Sequence, residues 1–178
     1  GNNDVFQRFD RATGRTTSFR FPVPTDFSAY SFVQAIHRGT DGILWIGTVK
    51  GLFRLDPATS GWDHFQHDPA DTTSLSNNGI FTLLADPVEP DRYLWVGTNG
   101  GGLNRLDKSN GVSKRYTTRE GLPNDVVYGI LADVPVSGAA GTGNYQLWMS
   151  TNKGIARFTP ATGMFRNYGV RDGLQSDE

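Results

Sequence analysis

The stretch LWIGTVKGLFRLD at residues 44–56 recurs as LWVGTNGGGLNRLD at 94–107 and as LWMSTNKGIARFT at 147–159. Aligned on their tryptophans, the copies are 50 and 53 residues apart, and a period near fifty is typical of propellers and other repeat arrays. Each copy joins two runs of branched and aromatic residues through a glycine-containing turn, the pattern of a β-hairpin. The repeat therefore indicates an architecture built from similar units of strands.

Each repeat unit contains four strand patterns. In the second full copy they are GIFTLLAD (79–86), YLWVGT (93–98), GLNRLD (102–107) and VSKRYT (112–117). Four short antiparallel strands in about fifty residues are the pattern of a β-propeller blade, and a β-solenoid fits less well because its repeats are shorter. We therefore predict an all-β fold, a β-propeller made of four-stranded antiparallel blades.

The repeat boundaries divide the chain into about three and a half blades of a larger propeller. We predict an outer half-blade at 1–21, since FQRFD (6–10) matches the third strand of a unit but has no inner pair before it. Full blades are predicted at 30–66, 79–117 and 126–168, with 169–178 as a linker to a next blade. Such a number of blades cannot close a ring, so we expect the chain to be a segment of a longer protein.

Three columns of repeated residues have structural explanations. They are Trp45, Trp95 and Trp148; Gly51, Gly102 and Gly154; and Arg8, Arg54, Arg105 and Arg157. The tryptophans would fill seams between blades, and the glycines would supply positive φ at a turn. Four equivalent arginines could form an anion-binding ring, but we favour stacking on aromatic rings or pairing with a carboxylate such as Asp86 or Asp133.

Composition argues against several classes of function. Seventeen Lys and Arg balance eighteen Asp and Glu, which does not favour nucleic acid or an anionic membrane as a partner. The chain has no cysteine, and no apolar run approaches the roughly 18 residues of a membrane helix, so we expect no insertion into a membrane. Of the three histidines, His64 and His67 lie close together but have no third ligand in the pattern of a zinc site, so these two are predicted to be surface residues.

The sequence offers no catalytic constellation. GAAGTG (138–143) joins two strands instead of opening a helix, NGGG (99–102) lacks the Lys-Ser/Thr pair of a phosphate loop, and no G-x-S-x-G occurs. We therefore expect no catalytic residue, no metal and no cofactor in this segment.

The irregular loops between the copies are the candidate location of function. In a propeller, the loops between blades and those between the second and third strands of each blade meet on one face around the central channel. Amides, carboxylates and a few aromatic residues there would suit a small polar ligand or a protein partner. The candidate ligand-binding residues are Phe27, Tyr30, Asn77, Asn78, Asn99, Asn124 and Asp125.

SLSNNGI (74–80), followed by LWVGT and GLNRLD, resembles the two-component regulator propeller repeat, and its copies cover nearly the whole chain. The ending DGLQSDE (172–178) is similar to a segment that leads into the last blades of such sensors. Two departures stand out. Ser150 replaces the usual Gly, and an insertion at 134–146 lengthens one loop on the opposite face.

By that resemblance, the chain would belong to the periplasmic sensor region of a histidine kinase or hybrid two-component system anchored in the inner membrane. Its partners would be the remaining blades and a β-sandwich of the parent chain, which would also carry the histidine kinase domain. Some relatives recognise oligosaccharides, so Phe27 and Tyr30 could stack on a sugar while asparagine amides bind its hydroxyls. Two alternatives stay open: a non-catalytic scaffold for protein association or homodimerisation, and a polysaccharide-active enzyme with its catalytic residues in other blades.

Overall fold

The computed structural model describes residues 5–22, 33–134 and 145–176, which form four consecutive β-sheets. Blade 1 contains β1 (Val5–Phe9) and β2 (Thr16–Arg20). Blade 2 contains β3 (Val33–Arg38), β4 (Leu44–Thr48), β5 (Gly51–Asp56) and β6 (Gly61–Phe65). Blade 3 contains β7 (Ile80–Ala85), β8 (Tyr93–Thr98), β9 (Leu103–Asp107) and β10 (Ser113–Tyr116). Blade 4 contains β11 (Val127–Asp133), β12 (Gln146–Thr151), β13 (Gly154–Thr159) and β14 (Met164–Tyr168), followed by a short 3-10 helix, Val170–Asp172.

Each four-stranded blade is an antiparallel meander in which strands adjacent in the chain are adjacent in the sheet. The first strands of neighbouring blades contact each other, β3 with β7 and β7 with β11, so these strands lie innermost. The arrangement confirms the predicted all-β propeller of four-stranded antiparallel blades. Blade 1 is a two-stranded hairpin, and the strands of the full blades fall within 30–66, 79–117 and 126–168.

Apolar side chains fill the seams between blades. Along β4 they alternate in direction, so Leu44 and Ile46 pack toward blade 1 while Trp45 packs toward blade 3. Trp45 is buried in a cluster with Ile80 and Leu94 of blade 3. One strand thus contributes to two seams, and successive blades cover each other.

The other two tryptophans of the repeat, Trp95 and Trp148, occupy the equivalent position of their blades. Trp95 is fully buried in the seam between blades 3 and 4, where it clusters with Leu147 and Phe158. Trp148 of blade 4 is only partly buried, because no strand within the described ranges packs against its side of the sheet.

A polar network also joins blades 3 and 4. The hydroxyl of Tyr145, in blade 4, donates to Asp86 Oδ2 of blade 3 at 2.7 Å and accepts from Trp95 Nε1 at 3.1 Å. Arg105 donates to the same carboxylate oxygen through Nε at 3.0 Å and Nη2 at 2.8 Å. Since Asp86 is fully buried, its charge is compensated entirely by protein groups.

The turns between the second and third strands share one construction. Thr48 Oγ1 accepts from the Lys50 N–H at 3.0 Å and donates to the Gly51 carbonyl at 2.9 Å. Gly51, Gly102 and Gly154 have φ of 120°, 77° and 74°, in the region that favours glycine. At all three glycines a Cβ atom would also collide with a backbone carbonyl of the outer strand. The position therefore favours glycine both for its positive φ and for the close approach of the outer strand.

The arginine column has different partners in different blades. Arg54 pairs with Asp63 at 2.8 Å on the outer strand of blade 2, and Arg157 lies 5.7 Å from the centre of the Trp148 ring. Arg105 binds Asp86, as described above, and its guanidinium also lies 3.8 Å from the centre of the Tyr93 ring. Arg8 lies on β1 opposite Thr17. In blades 2 to 4 each guanidinium is therefore engaged within its own blade.

Candidate functional site

The loop face of blades 3 and 4 is held together by backbone hydrogen bonds. Gly100 N and Gly102 N both donate to the Asp125 carbonyl, at 3.1 Å and 2.7 Å. The Asn99 N–H donates to the Gly79 carbonyl at 2.8 Å, and Asn99 forms a β-bridge with Val126. These bonds place the turn at 99–102 against the loop that enters blade 4.

Two asparagines on these loops use their side-chain oxygen to cap a backbone N–H group of their own turn. Asn77 Oδ1 accepts from Gly79 N at 2.7 Å, and Asn124 Oδ1 accepts from Val126 N at 2.9 Å. Both are local turns of the type that Asn favours. In each of these amides the oxygen already accepts a hydrogen bond, whereas the Nδ2 group is still able to donate. Among the described residues, neither Nδ2 group has an acceptor.

Asn78 and Asp125 have different surroundings. Asn78 Oδ1 accepts from the His67 N–H at 2.7 Å and so braces the outer part of the loop between blades 2 and 3. The Asp125 carboxylate accepts from Thr118 N at 2.7 Å and from Thr118 Oγ1 at 3.3 Å. Each oxygen of Asp125 thus accepts a hydrogen bond within the loop, which holds the carboxylate in place.

The structure places Asn77 and Asn99 beside each other, and the backbone bonds to Asp125 and Val126 hold the loop of Asn124 against the turn at 99–102. The oxygen of Asn78 is instead directed to His67. A Cβ placed on Gly79 would lie 3.3 Å from Asn77 Oδ1 and 3.0 Å from Asn99 Cβ, so these two side chains flank Gly79. Phe27 and Tyr30 lie outside the described residues. We call the cluster of Asn77, Asn99 and Asn124 the amide cluster.

Two aromatic residues that the sequence pattern did not single out lie on the innermost strands. Phe81 of β7 and Tyr128 of β11 stack on each other, with ring centres 5.3 Å apart and planes 12° apart. The Tyr128 hydroxyl donates to Asn152 Oδ1 at 2.7 Å. Asn152 follows β12 as Asn99 follows β8, so the aromatic pair lies at the same end of the strands as the amide cluster.

A β-bulge orients these rings. The register of the first two strands skips Phe81 in blade 3 and Tyr128 in blade 4, and it skips Gln34 at the same place in blade 2. A bulge turns the extra side chain out of the regular alternation, and bulges often lie beside functional sites. A sequence pattern could not show this, because GIFTLLAD reads as a continuous apolar strand.

Two titratable groups near this face, Glu120 and His64, are held by neighbouring residues. Glu120 Oε2 accepts from Thr117 N at 2.6 Å and from Thr117 Oγ1 at 2.8 Å. Burial raises the pKa of Glu120, but these hydrogen bonds outweigh it and the pKa lies below its ordinary value. His64 stacks on Phe53 at 3.9 Å, and partial burial lowers its pKa. Within the described ranges, no three His, Cys, Asp or Glu residues are grouped to hold a metal.

Comparison with known proteins supports the fold and gives a functional context. No family model matches the chain. The chain is 28% identical over 210 residues to histidine kinase P4 from Formosa agariphila, covering 96% of this chain and 15% of that protein. A xyloglucanase from Paenibacillus sp is 39% identical over 72 residues, covering 40% of this chain and 7% of that protein. The chain thus spans a small part of the relatives that it matches.

Solved structures match over nearly the whole chain. The extracellular domain of a hybrid two-component system from B. thetaiotaomicron has a TM-score of 0.69 and 18% identity, covering 94% of this chain and 25% of that one. The extracellular domain of a one-component system from the same organism has a TM-score of 0.68 and 23% identity, covering 94% of this chain and 22% of that one. Streptogramin B lyase has a TM-score of 0.62 and 21% identity, covering 93% of this chain and 48% of that one. The chain is a β-propeller segment, and the proteins similar to it include extracellular domains of bacterial signalling systems. No helix in the described part of the chain is long and apolar enough to cross a membrane.

Proposed function

We propose that this chain is part of the extracytoplasmic sensor propeller of a two-component signalling receptor, and that its loop face binds a small polar ligand. The remaining blades and a following β-sandwich of the longer protein would complete the receptor, which would be anchored in the inner membrane with this propeller in the periplasm. The similarity to a histidine kinase over 96% of the chain supports this context.

The amide cluster is the observation that carries the ligand-binding role. Asn77 and Asn124 each hold their oxygen with a backbone N–H and keep an amide donor unused by the described residues. Rigid donors of this kind suit a ligand rich in hydroxyl oxygens, because the turn has already fixed their direction. An oligosaccharide is such a ligand, and the likeness to a protein named xyloglucanase supports this choice.

Catalysis is not part of this proposal. The carboxylates of Asp125 and Glu120 both accept hydrogen bonds from neighbouring threonines. Hydrogen bonds of this kind hold the pKa of Glu120 below its ordinary value, and an ionised carboxylate cannot donate a proton as a general acid. We therefore infer a binding role for this segment.

The test is calorimetry on the protein with a panel of neutral oligosaccharides. Asn77→Asp and Asn124→Asp keep the oxygen that caps the turn but remove the amide donor. Loss of one hydrogen bond worth about 1.4 kcal/mol weakens binding about tenfold. Asn110→Asp is the matched control, since Asn110 Oδ1 caps Val112 N at 2.9 Å in a turn between the third and fourth strands.

We expect the two loop variants to lose affinity while Asn110→Asp binds as the unmodified protein does. No heat with any oligosaccharide would remove the ligand class from the proposal. Equal affinity in Asn77→Asp, Asn124→Asp and Asn110→Asp would remove the amide cluster.

A further inference from the structure

We propose that Phe81 and Tyr128 form a ring-binding subsite at the inner edge of the loop face, where an uncharged ring with one apolar face stacks on them. We call this pair, together with Asn152, the rim subsite. The inference rests on the proposed function and names the part of the loop face that would hold a sugar ring. It is carried by the position, the exposure and the hydrogen bonding of these residues.

Position is the first argument. The bulges on β3, β7 and β11 place Gln34, Phe81 and Tyr128 at the same level of the three innermost strands. Of these strands, β7 contacts both β3 and β11. Side chains turned out of the alternation on innermost strands have the central channel beside them. The aromatic pair therefore occupies the part of the face that a ligand entering the channel would meet.

Exposure is the second argument. Tyr128 is 50% exposed, whereas Val127 and Ile130 on the same strand are 0% and 6% exposed. An aromatic side chain left half in water keeps apolar area available for a partner, and ring-to-ring stacking has already fixed its plane. The rings thus offer a rigid apolar surface, which costs little conformational entropy when a ligand binds.

Hydrogen bonding is the third argument. Asn152 Oδ1 accepts from the Tyr128 hydroxyl, so its Nδ2 group is held beside the exposed ring as a donor. An apolar surface with an amide at its edge matches a pyranose, whose C–H face is apolar and whose rim carries hydroxyls. Because Phe81, Tyr128, Asn152 and Gln34 are all neutral, the subsite fits an uncharged ring.

The test substitutes glutamine at the bulge, because blade 2 shows that the fold accepts Gln34 at this position. Tyr128→Gln and Phe81→Gln would be titrated in calorimetry with cellotetraose and a xyloglucan heptasaccharide. Tyr168→Gln is the matched control, since Tyr168 also stacks on an aromatic ring, Trp148, with centres 5.4 Å apart, but on an outer strand. Circular dichroism would verify that each variant folds.

We expect Tyr128→Gln to raise Kd at least tenfold and Tyr168→Gln to leave it within twofold. Phe81→Gln gives the same readout if Tyr128→Gln does not fold. Unchanged Kd in both bulge variants, with Asn77→Asp still weakened, would overturn the rim subsite and leave the proposed function standing. Absence of saccharide binding by the unmodified protein would overturn the rim subsite and would remove oligosaccharides as the ligand class of the proposed function.

Discussion

Asp86 is a carboxylate that forms a hydrogen bond across the contact between blades 3 and 4. It is fully buried and accepts hydrogen bonds from the Tyr145 hydroxyl, the Arg105 guanidinium and the N–H groups of Val88 and Glu89. Burial raises the pKa of Asp86, but the hydrogen bonds and the charge of Arg105 outweigh it, so the pKa lies below the ordinary 3.8. A lowered carboxyl pKa means that the ionised form stabilises the fold.

We expect Asp86→Asn to lower the free energy of unfolding by about 2–3 kcal/mol at neutral pH, because it removes a buried charge partner of Arg105. The contribution of the carboxylate is complete above its ordinary pKa of 3.8 and is lost as pH falls through the lower pKa of the folded state. The difference between the two proteins should therefore stay constant from neutral pH to about pH 5 and shrink below pH 4. Urea unfolding at several pH values measures it.

Asp63→Asn is the control for this prediction. Asp63 pairs with Arg54, which occupies the position of Arg105 in blade 2, but 55% of the Asp63 side chain is exposed. Exposed ion pairs contribute about 0–1 kcal/mol, so this variant should unfold almost as the unmodified protein does. Equal losses in the two variants would show that the buried network adds nothing beyond an ordinary surface pair.

At the scale of the strand, one glycine position controls how closely blades approach. A Cβ on Gly97 of β8 would lie 2.5 Å from Thr82 Cγ2 and 2.8 Å from Val127 Cγ1 of the next blade. A Cβ on Gly47 would lie 2.6 Å from Ile80 Cγ2 of blade 3. Ser150 stands at this position in β12, where no further blade is present among the described strands.

We expect Gly97→Ser to destabilise the chain by about 1–3 kcal/mol, since the added atoms separate blades 3 and 4 or force Val127 from its place. Ser150→Gly reverses the substitution at the uncovered position and should change stability by no more than about 1 kcal/mol, the intrinsic cost of glycine in a strand. Urea midpoints measured at constant m-value compare the two. A Gly97→Ser protein as stable as the unmodified chain would show that the seam can widen without cost.

The fold was predictable at this scale, whereas the site was not. The recurrence of Trp45 and Trp95 at the repeat period predicts the blade directly, because each tryptophan fills the equivalent contact between neighbouring blades. Phe81 and Tyr128 carry no comparable signal, since the bulge that turns them is a property of register and not of composition. The asparagines lie in between: Asn77 and Asn124 belong to turns that their chemistry predicts, but only the structure shows which half of each amide the backbone uses.

At the scale of the whole molecule, the described blades form an arc with an uncovered sheet at each end. Phe9 of β1 is 62% exposed, although the residues that match it in the other blades, Leu55, Leu106 and Phe158, are fully buried. At the other end, Leu131 is 73% exposed and lies opposite Trp148 on the same face of blade 4. Leu131 and Trp148 line an apolar pocket of about 470 Å³.

Such a face stabilises association with another apolar surface. We expect the 178-residue chain to self-associate at micromolar concentration, and sedimentation velocity should show a sedimentation coefficient that rises with concentration. Leu131→Glu places a charge at the centre of the face and should shift the midpoint to at least tenfold higher concentration. Val112→Glu is the control, because Val112 is also exposed but lies in a turn of blade 3. A monomer at every concentration, or equal shifts in both variants, would show that the open face of blade 4 does not drive association. A shift confined to Leu131→Glu would favour the scaffold role of the propeller alongside sensing.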